Sequence, residues 1–186
     1  MRIISGTFKG KKIFQPIDLN TRPLKDLVKE SIFNVIEHSK KFKINIKETF
    51  VLDLFSGVGS FGLECLSRGA KFVTFVENYN GVLPILKKNL INLKSLNNYK
   101  IIEKDIINNL NFSLFDQKYN LIFLDPPYKE KNISMILNMI SEKKILSDEG
   151  IIILHRHKKQ PDQFPVNLKI IEEKKYGLSK IIFASI

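Results

Sequence analysis

Phe50-Val51-Leu52-Asp53-Leu54-Phe55-Ser56-Gly57-Val58-Gly59-Ser60-Phe61-Gly62 joins an apolar run that ends in an acid to a glycine-rich turn opening a helix. The turn glycines allow a backbone to approach a ligand closely, and the arrangement places that ligand beyond the carboxyl end of a strand. Further along, short β-rich apolar runs alternate with helical patterns. Lys71 to Glu77, Lys100 to Asp105, Leu121 to Asp125 and Ile151 to Leu154 read as strands covered on both faces. Gly59 to Arg68, Gly81 to Leu96 and Asn132 to Ile140 read as the helices between them. Parallel strands with crossover helices follow, so the fold class is α/β, an open doubly wound Rossmann-like sheet. In the tail, Leu168 to Tyr176 and Lys180 to Ile186 are joined by Gly177-Leu178-Ser179, too short for a parallel crossover. An antiparallel hairpin is therefore expected to complete a mostly parallel seven-stranded sheet.

Four predicted strands end in an acid: Asp53, Glu77, Asp105 and Asp125. In a doubly wound sheet these ends converge on one crevice. Glu77 stands where an acid binds the two hydroxyls of a ribose. Asp53, a few residues before the glycines, would repel a pyrophosphate and suits a cationic amine. S-adenosylmethionine has that amine, a sulfonium and no phosphate, whereas a nicotinamide dinucleotide fits poorly.

After Leu121-Ile122-Phe123-Leu124 comes Asp125-Pro126-Pro127-Tyr128. Two successive prolines end a hydrogen-bond ladder, so the run stops and presents a carboxylate, fixed carbonyls and an aromatic ring. The Asp125 carboxylate and the Pro126 carbonyl can both accept hydrogen bonds from an exocyclic amine, which frees the nitrogen lone pair. Tyr128 can stack on the base that carries it, worth roughly 1 to 3 kcal/mol. The two motifs together point to methyl transfer from S-adenosylmethionine to a nucleobase amine.

Composition agrees. Lysine and arginine number 30 against 19 acids, a net charge of +11. With a pI near 9.6, this suggests a polyanionic partner. At 186 residues, one chain can bury roughly 70% of its unfolded surface in a self-sufficient core. The single Cys65 reads as a buried small hydrophobe, which suits a reducing cytoplasm. No apolar stretch reaches the ~18 residues of a spanning helix and the N-terminus lacks a signal-peptide core, so a soluble, cytoplasmic protein is expected. No heptad seam calls for a dimer, and a monomer is expected.

Residues 1–48 read as a basic extension and 49–186 as the main domain. Arg2 to Ser5 and Lys11 to Phe14 read as a hairpin, and Thr21-Arg22-Pro23 as the start of a helix whose stripe is Leu24, Leu27, Val28, Ile32, Val35 and Ile36. The extension has eleven basic residues against five acids, so it holds +6 of the +11. His38, His155 and His157 have no partners at metal-ligand spacing, and no metal is expected. The His155/His157 pair reads as surface- or partner-facing, and Arg156 with Lys158 and Lys159 as an RNA-facing loop.

The whole set of motifs resembles the RsmD family, bacterial enzymes that methylate a guanine N2 amine in small-subunit ribosomal RNA. The resemblance rests on Arg2-Ile3-Ile4-Ser5-Gly6, Lys9-Gly10-Lys11-Lys12, Thr21-Arg22-Pro23, Val28-Lys29-Glu30-Ser31-Ile32-Phe33-Asn34, Leu52 to Gly59, Gly62-Leu63-Glu64, Leu66-Ser67-Arg68-Gly69-Ala70, Asp125 to Tyr128 and Tyr176-Gly177. It implies a class I methyltransferase domain, S-adenosylmethionine as donor, and 16S rRNA in assembled or partly assembled small subunits as substrate. Asp53, Phe55, Ser56, Gly57, Gly59, Glu77 and Asp105 would hold the cofactor, the last through the adenine amine. Asp125, Pro126, Pro127 and Tyr128 would hold and activate the flipped-out guanine. Arg2, Lys9, Lys11, Lys12, Arg22 and Arg156 would meet RNA. Three positions depart from the family pattern: Leu24, Val58 and Leu154-His155-Arg156-His157, where an acid-containing strand end is usual. The rival readings are a DNA adenine-N6 methyltransferase, for which the chain lacks room for a target-recognition insertion, and a non-catalytic ribosome assembly factor.

Overall fold

The computed structural model describes residues 1–16, 24–94, 97–108, 114–115, 117–127 and 129–186. In chain order the elements are α1 (Asp26–His38), β1 (Phe50–Leu54), α2 (Ser60–Ser67), β2 (Phe72–Val76), α3 (Leu83–Asn92), β3 (Tyr99–Ile102), β4 (Tyr119–Leu124), α4 (Ile133–Glu142), β5 (Leu146–His157), β6 (Lys169–Tyr176) and β7 (Ser179–Ser185). Among the described residues, seven strands form one sheet in the order β3-β2-β1-β4-β5-β7-β6. β1 to β5 pair in parallel, while β7 pairs antiparallel with both β5 and β6. This is the expected architecture, a Rossmann-like sheet with an antiparallel C-terminal hairpin. No helix among the described residues is long and apolar enough to cross a membrane.

The register sets the level at which each strand leaves the sheet. Leu54 pairs with Val76 on one side and Leu124 on the other, and Leu124 pairs with Leu154. The next residues, Phe55, Glu77, Asp125 and His155, therefore stand in one row along the carboxyl edge. Side chains alternate between faces. Val51, Leu121, Phe123, Ile151, Ile153, Ile181 and Phe183 pack into the core under α1, α2 and α3, whereas Leu52, Leu54, Ile122, Leu124, Ile152 and Ile182 pack into the core under α4. By that alternation Asp53, Asp125, His155 and Ser179 belong to the α2 face.

The N-terminal segment shares the α2-side core: Ile3, Ile13, Val28, Ile32, Phe33 and Ile36 are buried together with Val51 and Phe61. Phe61 stacks between Phe33 and Phe123, with ring centroids at 5.2 and 4.0 Å. The expected hairpin forms around one antiparallel bridge, Arg2 to Lys12, with Ile3 N–H donating to the Lys11 carbonyl at 2.9 Å, Gly10 N–H to the Ile3 carbonyl at 2.9 Å and Ile13 N–H to the Met1 carbonyl at 3.1 Å. The amides nearer its turn are spent elsewhere. Ile4 and Ser5 N–H donate to the Glu64 carboxylate at 2.7 and 2.9 Å, Thr7 N–H to the Ser67 carbonyl at 2.7 Å, and Phe8 N–H to Ser67 Oγ at 3.0 Å. Gly6, with φ +80°, lies so close that a Cβ there would fall 1.9 Å from the Ser67 oxygen. The predicted helix start at Thr21, Arg22 and Pro23 and the predicted end of the third helix at Leu96 fall outside the described residues. The buried stripe of α1 is Val28, Lys29, Ile32, Phe33 and Ile36. Leu27, expected within it, is 69% exposed, because the helix is rotated to bring Lys29 and Phe33 inward.

Lys29 is fully buried. Its Nζ donates to the Arg2 carbonyl at 2.7 Å and lies 3.5 Å from Glu64, while Arg68 Nε donates to Glu64 at 2.9 Å. Burial pulls the Lys29 ammonium below its ordinary value, with Glu64 opposing. A carboxylate between two cations and two backbone amides is well satisfied; removing it leaves the buried ammonium to the more distant Asp26 carboxylate at 3.9 Å. Glu64→Ala is expected to cost about 3 to 5 kcal/mol in urea unfolding followed by circular dichroism. Glu37→Ala, at the more exposed end of the same network on Arg68, is expected to cost less than about 1 kcal/mol.

Candidate active site

A cavity of about 420 Å³ opens at the carboxyl ends of β1, β2 and β4, at the N-terminal ends of α2 and α3. Its wall includes Asp53, Phe55, Ser56, Gly57, Glu77, Asp125, Pro126 and Pro127. Most of the expected site residues thus meet at one crevice, of a size that takes a nucleoside-like ligand.

The turn after β1 is forced by backbone geometry. Phe55, Gly57 and Gly59 all have positive φ, at 60°, 55° and 82°. A bulky residue such as Phe55 adopts this conformation at a cost of order 1 to 3 kcal/mol, and such strain concentrates at functional sites. Ser56 Oγ locks the turn from between the Asp53 and Val76 carbonyls, 2.8 and 2.9 Å away, which share its single hydroxyl proton. At Gly59, which precedes α2, the left-handed φ of 82° favours glycine, and a Cβ would also lie 2.5 Å from Leu86 Cδ1, which would have to shift.

Asp53 lies beneath the cavity, 1% exposed, and accepts the Gly62 N–H at 2.9 Å inside the first turn of α2. Burial pushes its carboxyl well above the ordinary range; the Gly62 N–H pulls it back, and the negative charges of Asp125 and Glu77 push it further up. Glu77 accepts Gly57 N–H on one oxygen and Asn78 and Tyr79 N–H on the other, all at 2.8 Å. It therefore fixes the glycine turn as well as facing the cavity, and one of its roughly four acceptor positions remains for a ligand.

Other predictions fare differently. Asp105 does not line the cavity: β3 ends at Ile102, and the carboxylate accepts from Ile107 N–H, Asn108 N–H and Asn108 Nδ2 at 2.8, 3.1 and 2.7 Å. Against a desolvation that raises it, hydrogen bonds from Asn108, Ile107 and Asn78 hold this carboxyl below its ordinary value. Tyr128 and Arg22 lie outside the described residues. Arg2, Lys9, Lys11 and Lys12 are exposed. The turn that carries Lys9 packs on Ser67, and Lys11 reaches the Asn92 carbonyl, so these lysines sit at the C-terminal ends of α2 and α3, away from the cavity.

The end of β5 departs most from expectation. Arg156 is 1% exposed, not RNA-facing. It donates to Asp162 at 2.8 Å and to the Glu130 and Pro127 carbonyls at 2.8 and 3.4 Å, bracing the loop after the two prolines. His155, expected to face outward, is 2% exposed; its Nδ1 lies 2.8 Å from Asp125 Oδ1 and its Nε2 2.9 Å from Ser179 Oγ. Both residues are inside because β5 runs on to His157, beyond the predicted end at Leu154. The alternation Ile151, Ile153, His155 carried the signal. Sequence reasoning also missed Gln15, Pro16 and Leu24, which line the cavity, and Asn89, which accepts Phe14 N–H at 2.8 Å and donates to the Val58 carbonyl at 3.0 Å.

Known proteins share both the sequence pattern and the fold. A family model described as conserved hypothetical protein 95 matches residues 1–185. A relative from Buchnera aphidicola subsp. Acyrthosiphon pisum, named ribosomal RNA small subunit methyltransferase D, is 33% identical over 172 residues, 92% of this chain and 86% of that protein. The chain belongs to the RsmD family. A Bacillus subtilis protein, provisionally named an rRNA methyltransferase, is 32% identical over 97% of this chain and 96% of its own. A solved Escherichia coli protein, provisionally named a methyltransferase, superposes with a TM-score of 0.80 at 29% identity, covering 99% of this chain and 96% of that one. These likenesses span the N-terminal segment too, so Gln15, Pro16 and Leu24 belong to the part this chain shares with the RsmD family.

The raised Asp53 carboxyl has a thermodynamic sign. An acid with a higher pKa folded than unfolded binds more protons when folded, so its cost grows as pH rises from about 4, the unfolded value, through the folded one. Asp53→Asn keeps an acceptor for Gly62 N–H and removes that cost. The ligand-free variant is expected to melt at least about 2 to 4 °C above the wild type at pH 7, the shift for ~1 kcal/mol, with the gap closing towards pH 4 in scanning calorimetry.

Proposed function

We propose that this protein transfers the methyl group of S-adenosylmethionine to the exocyclic N2 amine of a guanine in 16S rRNA of the small ribosomal subunit. The observation that carries the reading is the junction of two sites in one cavity: a buried carboxyl in want of a cation, and the Asp125-Pro126-Pro127 loop at the same wall. The rRNA methyltransferase names borne by the relatives support the class of substrate.

The residues suit this donor. Asp53, Glu77 and Asp125 make the crevice acidic, which favours an ammonium and a sulfonium and opposes phosphate. Glu77 takes one ribose hydroxyl with its remaining acceptor position, and the glycine turn lets the ligand lie against backbone. When bound, S-adenosylmethionine supplies a methyl on a sulfonium, and a neutral thioether leaves with the bonding electrons.

Asp125 and the Pro126 carbonyl accept the two N–H groups of the amine, which draws its lone pair out of conjugation with the ring and aims it at the methyl carbon. Holding the partners in line can supply up to ~7 to 11 kcal/mol of the barrier. The nitrogen forms its new bond before it loses a proton, so no strong base is needed beforehand; the acidic methylated ammonium then releases the proton to Asp125 or water. Tyr128 stacks on the base. Arg2, Lys9, Lys11, Lys12 and Arg22 hold phosphates; the lysines do so about 12 Å below the opening, the length of an eight-residue helix. In this reading the protein works as a monomer in the cytoplasm, where its ribosomal substrate is.

Purified protein and radiolabelled S-adenosylmethionine offered to unmethylated small subunits, naked 16S RNA and duplex DNA test the proposal through the identity of the labelled nucleoside. N2-methylguanosine is expected in RNA. Label in DNA adenine, or none despite donor binding, would sink it. Asp125→Ala is expected to lower kcat at least about 100-fold with donor affinity little changed, whereas Asp53→Asn should weaken donor binding about tenfold or more.

A further inference from the structure

The structure assigns His155, backed by Ser179, as a positioning residue for Asp125: the imidazole fixes the carboxylate that receives the target amine. This rests on the proposed methyl transfer and adds to it a residue that the tetrapeptide does not contain.

The geometry begins with register. Leu124 pairs with Leu154, so Asp125 and His155 are the next residues on adjacent parallel strands and point to the same face. Their side chains meet with Nδ1 2.8 Å from Oδ1. Because β7 runs antiparallel beside β5, with His157 opposite Ser179, the Ser179 hydroxyl comes within 2.9 Å of Nε2. The histidine is 2% exposed and its carboxylate partner 13%. An ionised carboxylate only accepts, so Nδ1 carries the proton; in the neutral ring Nε2 then accepts from the Ser179 hydroxyl. The imidazole is thereby held at both nitrogens and cannot turn.

The carboxylate sits at the cavity wall beside prolines that fix its backbone but not its side-chain torsions. A carboxylate free to rotate would meet the amine in the right orientation only part of the time. A hydrogen bond from a ring itself anchored on a neighbouring strand removes that freedom before the substrate arrives. Arg156, the next residue, reaches the opposite face of the sheet and braces the Pro127 and Glu130 carbonyls, so of these two neighbours it is His155 that meets the carboxylate. A positioning role predicts a loss in kcat with little change in KM for either substrate, since binding does not use the ring.

Three variants and one spectrum test this. His155→Leu is expected to lower kcat for small-subunit methylation about 10- to 100-fold, the usual cost of removing a residue that orients a functional ligand, with both KM values within about threefold. His155→Asn, whose amide N–H can take the place of Nδ1–H, should recover most of the loss; His155→Gln, which reaches only the Nε2 position, should not. Melting temperatures of the three identify any variant that fails to fold, and the Asn/Gln comparison stands apart from folding when those two melt alike. In wild-type protein labelled with 15N-histidine, the His155 ring is expected as the Nδ1–H tautomer, and that pattern should change in Asp125→Ala. Wild-type kcat in His155→Leu, equal losses in Asn and Gln, a loss confined to KM for RNA, or an Nε2–H tautomer would each overturn the inference. Absence of any methyl transfer by the wild type would instead overturn the proposed function, while the spectrum still decides whether the ring holds the carboxylate.

Discussion

Asp53, a carboxyl buried at the centre of the sheet with Asp125 and Glu77 around it, is the constraint from which the rest of the molecule can be argued. Like charges in a low-dielectric crevice raise one another's cost of ionisation. Without a ligand, what opposes that cost is mainly backbone: Gly62 N–H on Asp53, and Gly57, Asn78 and Tyr79 N–H on Glu77. Those amides point inward only because α2 begins right after the glycine turn. That turn in turn needs positive φ at three nearby residues, one of them a phenylalanine. Strain in the backbone and burial of a carboxyl are thus two sides of one arrangement, a cradle that is costly to build.

The same helix ties the cradle to the N-terminal segment. One end of α2 donates to Asp53, its middle carries Glu64, and its last residue binds the turn at residues 6–8. Phe61 at its start touches Phe33 of α1 on one side and Phe123 of β4 on the other. The N-terminal segment is therefore not a loose basic arm. Its path past Asn89 brings Gln15 and Pro16 to the cavity, so one wall of the site is built from residues that the core holds in place through Glu64. Glu64 also anchors the N-terminal hairpin to α2: the Ile4 and Ser5 amides have a charged acceptor there, and a charge-assisted bond is roughly twice as strong as a neutral one.

What could be read from sequence divides along physical lines. Strands covered on both faces announce themselves by unbroken apolar runs, and β1, β2 and β4 lie where those runs lie. The glycine turn and the two prolines are local rules, and Asp53, Glu77 and Asp125 meet as the rule for strand ends requires. Longer-range choices were hidden. Lys29 reads as a surface cation until its partner 35 positions away is known, and its burial rotates α1 enough to leave Leu27 outside. Asp105 sits beyond the end of β3, where a turn takes its carboxylate. His155 and Arg156 look like a solvent-facing basic cluster because a charge run usually is one. Their partners, Ser179 and Asp162, come from later in the chain, and no local periodicity reveals them.

The end of β5 shows how two buried polar side chains can brace one loop. Adjacent strand residues face opposite sides, so His155 and Arg156 reach the same loop from above and below the sheet. One takes the carboxylate at the start of the proline pair; the other takes carbonyls at its end and beyond. Arg156 is in turn neutralised by Asp162, which also meets Lys180 of β7 at 3.2 Å. Buried charges of this kind persist only where partners are complete, since a lone one costs several kcal/mol. The hairpin β6–β7 is then more than an edge to the sheet. By supplying Ser179 beneath one residue and Lys180 beside the other's partner, it fixes the two side chains that fix the loop, and the antiparallel tail becomes part of what shapes the cavity wall at Asp125.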